Sequence, residues 1–221
     1  MDRILVPPHG YVDYLDHMGD DLRVANVARV SFDNWKEQFD DKDARLIAYL
    51  LEHQHTSPFR HAYLSMRVHA PIFVLRQWGK HQVGCAWNER SMRYVHVPDV
   101  LLWHPSNWRK QAKNSKQGSS DERFSLQEEA DLDQGAHYAA MQSVDEYNRM
   151  VEAGVAREQA RTILPQSMYT EVIWTASLQA VLHFLALRLD SHAQLEIREF
   201  AEAVRVITRE FFPVTMEAVG L

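Results

Sequence analysis

One cysteine, Cys85, serves the whole 221-residue chain. That scarcity excludes an internal disulfide framework and suits a reducing compartment. No apolar run approaches the roughly 20 residues that a helix needs to cross a bilayer. The opening MDRILVPPHGYVDYLDHMGDD is charged and broken by Pro7 and Pro8, unlike the apolar core of a signal peptide. The expected location is therefore the cytoplasm, with no membrane partner. An excess of positive charge is also missing. The net charge is −6, so bulk electrostatics do not draw the chain to nucleic acid. Glycine is sparse and forms no nucleotide-binding motif, and neither H-E-x-x-H nor a zinc-type Cys/His spacing occurs. Internal repeats and heptads are absent too.

What is present is a hydrophobic content of 46%, enough for one substantial core and a single domain over residues 1–221. The expected class is α/β (α+β), a mixed sheet packed with long helices. Residues 61–69, HAYLSMRVH, alternate with period two: Ala62, Leu64, Met66 and Val68 face one way, which predicts a half-buried strand. Asp20–Phe32 alternates only loosely, and Asp41–Leu51 has the spacing of a short amphipathic helix. Pro71 suits the first turn of a helix over PIFVLRQWG. A polar, cation-rich loop or insertion is expected at about 103–125. A helix follows from about Leu126 to Met150, ending near Gly154. Ile173, Leu178, Val181, Leu182 and Leu185 predict a largely buried helix from about Tyr169 to Leu187. Ser191 and Gln194 have the spacing of a capping box opening the last helix, which runs to about Phe212 and stops at Pro213.

The chemistry concentrates in residues 76–94, RQWGKHQVGCAWNERSMRY. Cations alternating with Trp78, Trp87 and Tyr94 could stack and neutralise a nucleic acid, but the acidic chain and the lack of a recognition motif stand against it. His53, His55, His61 and His69 suggest a metal without the spacing of one, and surface or hydrogen-bonded histidines account for most of them. Cys85 has a candidate base in His81 four residues away, yet a lone cysteine also serves as a small buried apolar residue. If Asn88–Tyr94 is extended, Glu89, Ser91 and Arg93 share one face. A carboxylate, a hydroxyl and a guanidinium there suit a phosphorylated ligand with amide or sugar donors. A solvated strand face with a local ion pair explains the same pattern, and spacing alone leaves the two level.

The stretch resembles the signature of the flavin-dependent thymidylate synthases, an R-H-R triplet followed by N-E-x-S-x-R-Y. Here the triplet reads Lys80-His81-Gln82, and Asn88-Glu89-Arg90-Ser91-Met92-Arg93-Tyr94 matches without change. HTSPFRH at 55–61, APIFVLRQW at 70–78, ARTILP at 160–165 and WTASLQAVLHFLALRLDSHAQLEI at 174–197 are similar to family segments in order and spacing. The departures are Lys80 and Gln82 for two arginines, one extra residue between Gln82 and Asn88, and Ser177 and Gln179 where asparagine and arginine are common. The K-H-Q form and the KQGSSDE loop resemble members from bacteriophages.

The resemblance implies methylation of dUMP to dTMP, with carbon from methylenetetrahydrofolate and reducing equivalents from NADPH through FAD. It implies no enzyme nucleophile. It also implies a homotetramer whose sites are assembled from several subunits. Carried over by position, Gln77, Lys80, Glu89, Ser91, Arg93, Arg161 and Arg188 are expected at the nucleotide. Of these, Arg188 would activate the pyrimidine, and Ser91 is expected beside it as a second catalytic residue. His55, Ser57, Lys80, His81, Gln82, Val83, Asn88, Glu89, Ser177, Gln179 and His183 are expected at FAD. Two other functions stay open: a flavoprotein of this fold acting on another pyrimidine nucleotide or one-carbon group, and a nucleotide-binding module without turnover.

Overall fold

The computed structural model of the chain describes residues 3–95, 100–105, 108–113 and 118–221. Among them, five strands form one sheet: β1 (Ile4–Val6), β2 (Gly10–Met18), β3 (Tyr63–Pro71), β4 (Cys85–Glu89) and β5 (Tyr169–Ser177), in the order β1-β2-β3-β5-β4. The helices among these residues are α1 (Asp21–Arg29), α2 (Asp41–Glu52), α3 (Ile72–Trp78), α4 (Leu126–Glu152), α5 (Arg157–Ala160), α6 (Leu178–Arg188), α7 (Leu195–Phe211) and α8 (Pro213–Ala218). The class is mixed α and β, as expected, and all four strand pairings are antiparallel.

The centre of the sheet is the pairing of β3 with β5, in register from Tyr63 opposite Ser177 to Pro71 opposite Tyr169. Ala62, Leu64, Met66 and Val68 are buried almost completely, which bears out the period-two reading of this segment. Val172, Trp174 and Ala176 supply the same face from β5. The other face, with Tyr63, Ser65, Arg67 and His69, stays half-buried. Each central strand runs into a helix without a linker: β3 into α3 and β5 into α6. Both helices fold back over the buried face, where Trp78 stacks on Phe184 at 4.5 Å between ring centres and meets Trp174 edge-on at 5.2 Å. Helix α7 covers the β1–β2 side; a Cβ on Gly10 would come within 2.5 Å of the Phe200 ring, so the strand approaches too closely for a larger residue. A second, smaller hydrophobic cluster gathers Met92, Leu102, Tyr147, Ala160 and Met168 beneath α4.

Several expectations are corrected. The segment from Tyr169 is not one helix but β5 followed by α6. Its first half alternates buried and half-buried residues, and its β-branched and aromatic residues suit a pleated surface. Ser177 then caps α6, its Oγ accepting from the Ala180 amide. The extended reading of Asn88–Tyr94 fails after Glu89. The Arg90 amide still reaches the Glu171 carbonyl, but Ser91 then turns the chain, its Oγ taking the Arg93 amide and its carbonyl the Tyr94 amide. Ser191 does not cap the last helix. Helix α7 begins at Leu195 after Gln194 with no side-chain cap, and Asp190 captures the His192 amide in a local turn instead. That helix ends at Phe211, and Pro213 opens α8 rather than merely ending α7. Pro71 is the last residue of β3, one position ahead of α3. Asp20–Phe32 is the capped helix α1 and a short 3-10 turn. The described residues of 103–125 form no helix or regular strand; Gln111 and Ser119 make an isolated bridge.

Trp78 is fully buried between α6 and the sheet, so Trp78→Ala should destabilise the fold by about 3 to 5 kcal/mol, measured by denaturant unfolding.

Candidate active site

Helix α3 ends at Trp78, and the chain then crosses the flank of α6 before entering β4 at Cys85. The crossing is tight. The Ser177 amide donates to the Gly84 carbonyl at 2.9 Å, and a Cβ on Gly84, whose φ is +76°, would lie 2.7 Å from Ser177 Oγ. The loop thereby walls a cleft of about 590 Å³ against α6, lined by Lys80, His81, Gln82 and Val83 on one side and Ser177, Gln179, His183 and Arg188 on the other. Eight residues expected from the sequence thus meet in one place. A second cleft, about 530 Å³, lies between α3 and β4; it shares His81 and Gln82 with the first and adds Leu75, Arg76, Cys85, Trp87 and Glu89.

Arg188 is the last residue of α6 and half-buried. Its Nε donates to His81 Nε2 at 3.0 Å and its Nη2 to the Gln77 carbonyl at 3.4 Å. Among the described residues no carboxylate pairs with it, and burial lowers its pKa. One helix-end carbonyl stands in for a counter-ion: Gln77 lies in the last turn of α3, where carbonyls carry partial negative charge, and its oxygen also takes the Lys80 amide at 3.3 Å. The Gln77 side chain donates in turn to Gln194 at the start of α7. His81 accepts at Nε2 and is neutral. Burial first, then the Arg188 charge and His183, hold its pKa down at about 4.

The other expected residues lie outside the first cleft. Glu89 points into the second; partial desolvation raises its pKa, opposed by a hydrogen bond from Trp87 and the charge of Arg161. Asn88 is on the opposite face of β4, because neighbouring strand residues alternate. Arg93 pairs with Glu158 at 3.3 Å beside the Ser91 turn. Arg161 sits on a 3-10 turn after α5. His55 and Ser57 are exposed between α2 and the 3-10 turn Pro58–His61, linked to the first cleft through Arg60, which lines it and donates to Thr56 at 3.1 Å. Arg60 was not anticipated and Arg76 was considered only as a cation of a nucleic-acid surface, although both sit inside the quoted motifs HTSPFRH and APIFVLRQW. Gln194 was not anticipated either.

The residues considered for other chemistry are engaged elsewhere. His53 stacks on Tyr49, and His69 lies between Tyr11 and Tyr169. Among the described residues no three His, Cys, Asp or Glu side chains gather as a metal site would require. Burial raises the Cys85 thiol, which points to the Val83 carbonyl and remains protonated at neutral pH.

The model of a family described as thymidylate synthase complementing protein matches residues 13–214. The flavin-dependent thymidylate synthase of Thermosipho africanus is 40% identical over 211 residues, which cover 95% of this chain and 90% of that protein. The chain belongs to the flavin-dependent thymidylate synthase family. A relative from Thermus thermophilus is 41% identical over 214 residues, covering 95% of this chain and 75% of that protein. The crystal structure of a UMP/dUMP methylase, PolB, from Streptomyces cacaoi bound with 5-Br dUMP superposes with a TM-score of 0.84 at 32% identity. It covers 96% of this chain and 94% of that one.

The flavin on which this family depends fits the first cleft by the chemistry of its donors. Arg60 and Lys80 offer positive charge to an anionic group, and Ser177, Gln179 and His183 offer short polar contacts to a ring edge. With one described cation from each of three elements, the wall has no carboxylate to repel an anion.

The depressed His81 pKa has a thermodynamic consequence. Between the ordinary value of 6.5 and about 4, the unfolded imidazole binds a proton that the folded one refuses. Stability should therefore fall as pH is lowered through that window and show no effect of His81 above it. The difference between wild type and His81→Gln in thermal unfolding, followed from pH 7 to 4, should grow towards acid in favour of the variant.

Proposed function

We propose that the protein methylates dUMP at C5 to give dTMP, with FAD as cofactor, methylenetetrahydrofolate as carbon donor and NADPH as reductant. The coarser part follows from the family, which makes the chain a flavin-dependent methyltransferase acting on a nucleotide. The observation that carries the finer reading is Arg188, a half-buried guanidinium held by two neutral acceptors and, among the described residues, no carboxylate. Its charge is not already spent on a counter-ion. Uracil C5 is a weak nucleophile until negative charge is drawn towards N3 and O4, and a fixed cation there acts on charge that grows towards the transition state.

A flavin bound in the first cleft would supply the redox chemistry. Lys80, His81, Gln82, Val83, Ser177, Gln179 and His183 would hold it, with His55, Ser57, Asn88 and Glu89 contributing from outside that cleft. Gln77, Lys80, Glu89, Ser91, Arg93, Arg161 and Arg188 would hold the nucleotide, and a protonated Cys85 takes no covalent part. Ser91, Arg93 and Arg161 line neither cleft of this chain, while Arg188 closes one of them. That division supports sites completed by neighbouring subunits of a homotetramer. A cytoplasmic setting keeps the lone thiol reduced.

A second reading is favoured by one finding. The related PolB is described as a UMP/dUMP methylase and was also solved with 5-Br UMP, so the ribonucleotide is the alternative substrate. Product analysis with dUMP and UMP in parallel separates the two; thymidylate alone supports the first reading. The purified protein should bind FAD and show a flavin spectrum that NADPH bleaches without oxygen. A protein that takes up no FAD removes both readings.

Arg188→Ala should lower dUMP turnover roughly a hundredfold or more while flavin content is retained. Arg188→Lys keeps the charge but not the planar fork and should fall clearly below wild type. If Arg188 merely stabilises the end of α6, worth about 0.3 to 1 kcal/mol, lysine will match wild type and alanine will lose stability and activity together.

A further inference from the structure

Arg188 carries five N–H donors in one plane, and the structure divides them. The Nε and Nη2 edge faces protein: His81 Nε2 at 3.0 Å and the Gln77 carbonyl at 3.4 Å. The outward N–H groups at the Nη1–Nη2 end are bonded to no described residue. They form the fork that matches a planar acceptor pair. The two acceptors come from different elements, the loop after α3 and the last turn of α3 itself, so together they fix both the position and the plane of the guanidinium. The Gln77 brace is itself anchored, since its side chain is tied to Gln194 at the start of α7. His81 is braced by packing: its ring meets Phe184 edge-on at 5.1 Å and His183 at 5.7 Å, both on α6, the helix that carries Arg188.

We infer that His81 is a positioning residue: as a neutral acceptor it holds the Nε edge of Arg188 and thereby aims the free fork at the pyrimidine. This goes beyond the expected contact of His81 with the flavin, and it rests on the reading that Arg188 acts on the nucleotide. Only the neutral tautomer protonated at Nδ1 can do it. A cationic imidazole would have no lone pair for Nε–H and would repel the guanidinium. The low pKa of His81 is thus a requirement of the role and agrees with the geometry.

The test separates aiming from flavin contact. His81→Phe keeps a ring of similar size without an acceptor, whereas His81→Gln keeps an acceptor without the ring. Both are compared with Arg188→Ala and with the double variant His81→Phe/Arg188→Ala, by turnover of dUMP at saturation and by flavin content. His81→Phe should lose roughly tenfold to a hundredfold in turnover, the scale of a displaced catalytic group, with flavin retained. His81→Gln should recover most of that loss. On the Arg188→Ala background, His81→Phe should cost less than about twofold, because a residue acting through Arg188 has nothing left to aim. In the apoprotein, the 15N-detected Nε–H of Arg188 should exchange slowly in wild type and His81→Gln and quickly in His81→Phe. Fully additive losses, unchanged turnover in His81→Phe, or an Nε–H equally protected in all three proteins would overturn the inference. If His81→Phe does not fold, His81→Gln decides: low turnover with a rapidly exchanging Nε–H also overturns it. Should Arg188→Ala keep full turnover, the reading of Arg188 fails instead, and the exchange measurement still reports whether His81 holds it.

Discussion

The pairing of β3 with β5 is the constraint from which the site follows. Nine consecutive residues of each strand face each other, and each strand passes directly into a helix. Because the pair is antiparallel, α3 and α6 start from opposite ends of the ladder and run back across the same buried face. Their packing, Trp78 upon Phe184, brings the residues after α3 alongside the middle and end of α6. His81 therefore meets His183 and Arg188, more than a hundred positions away in sequence. Neither the loop nor the helix has a carboxylate in this contact. The cation is kept in place by a helix-end carbonyl and an imidazole, a weaker hold than an ion pair but one that leaves its charge available.

The altered triplet makes physical sense against this arrangement. Lys80 is exposed at the rim and brings a compact charge on a flexible stem, while Gln82 contributes amide donors and acceptors without charge. The central histidine of the triplet is the residue with the specific partner. Arg60 enters the same cleft from the 3-10 turn before β3 and adds a guanidinium beside Lys80.

Legibility followed the range of the interactions. β3 could be read because one face is buried and the other wet, so alternation was plain in HAYLSMRVH. The junction of β5 and α6 could not, because strand and helix are both buried and Ser177 separates them with a single residue; apolar content alone does not tell the two periods apart. Ser91 misled for a local reason, a hydroxyl that turns the backbone where alternation suggested continued extension. Eight of the expected residues meet in the first cleft, but the resemblance supplied them, and spacing did not. Arg60 and Gln194 were missed because nothing in the chain order says that the Pro58–His61 turn packs on α6 or that Gln194 reaches Gln77.

The absence of linkers after β3 and β5 also governs which length changes the lineage could tolerate. One residue added to either strand would reverse its inward and outward faces and carry the following helix towards the other side of the sheet. Trp78, Phe184 and Arg188 would then point away from one another. The segment from Gly79 to Gly84 is under no such phase lock: it crosses α6 as irregular chain, bonded at few points, and β4 is a short edge strand. A residue added within that loop would lengthen the wall of the cleft without turning a helix, so chain length is freest to vary there.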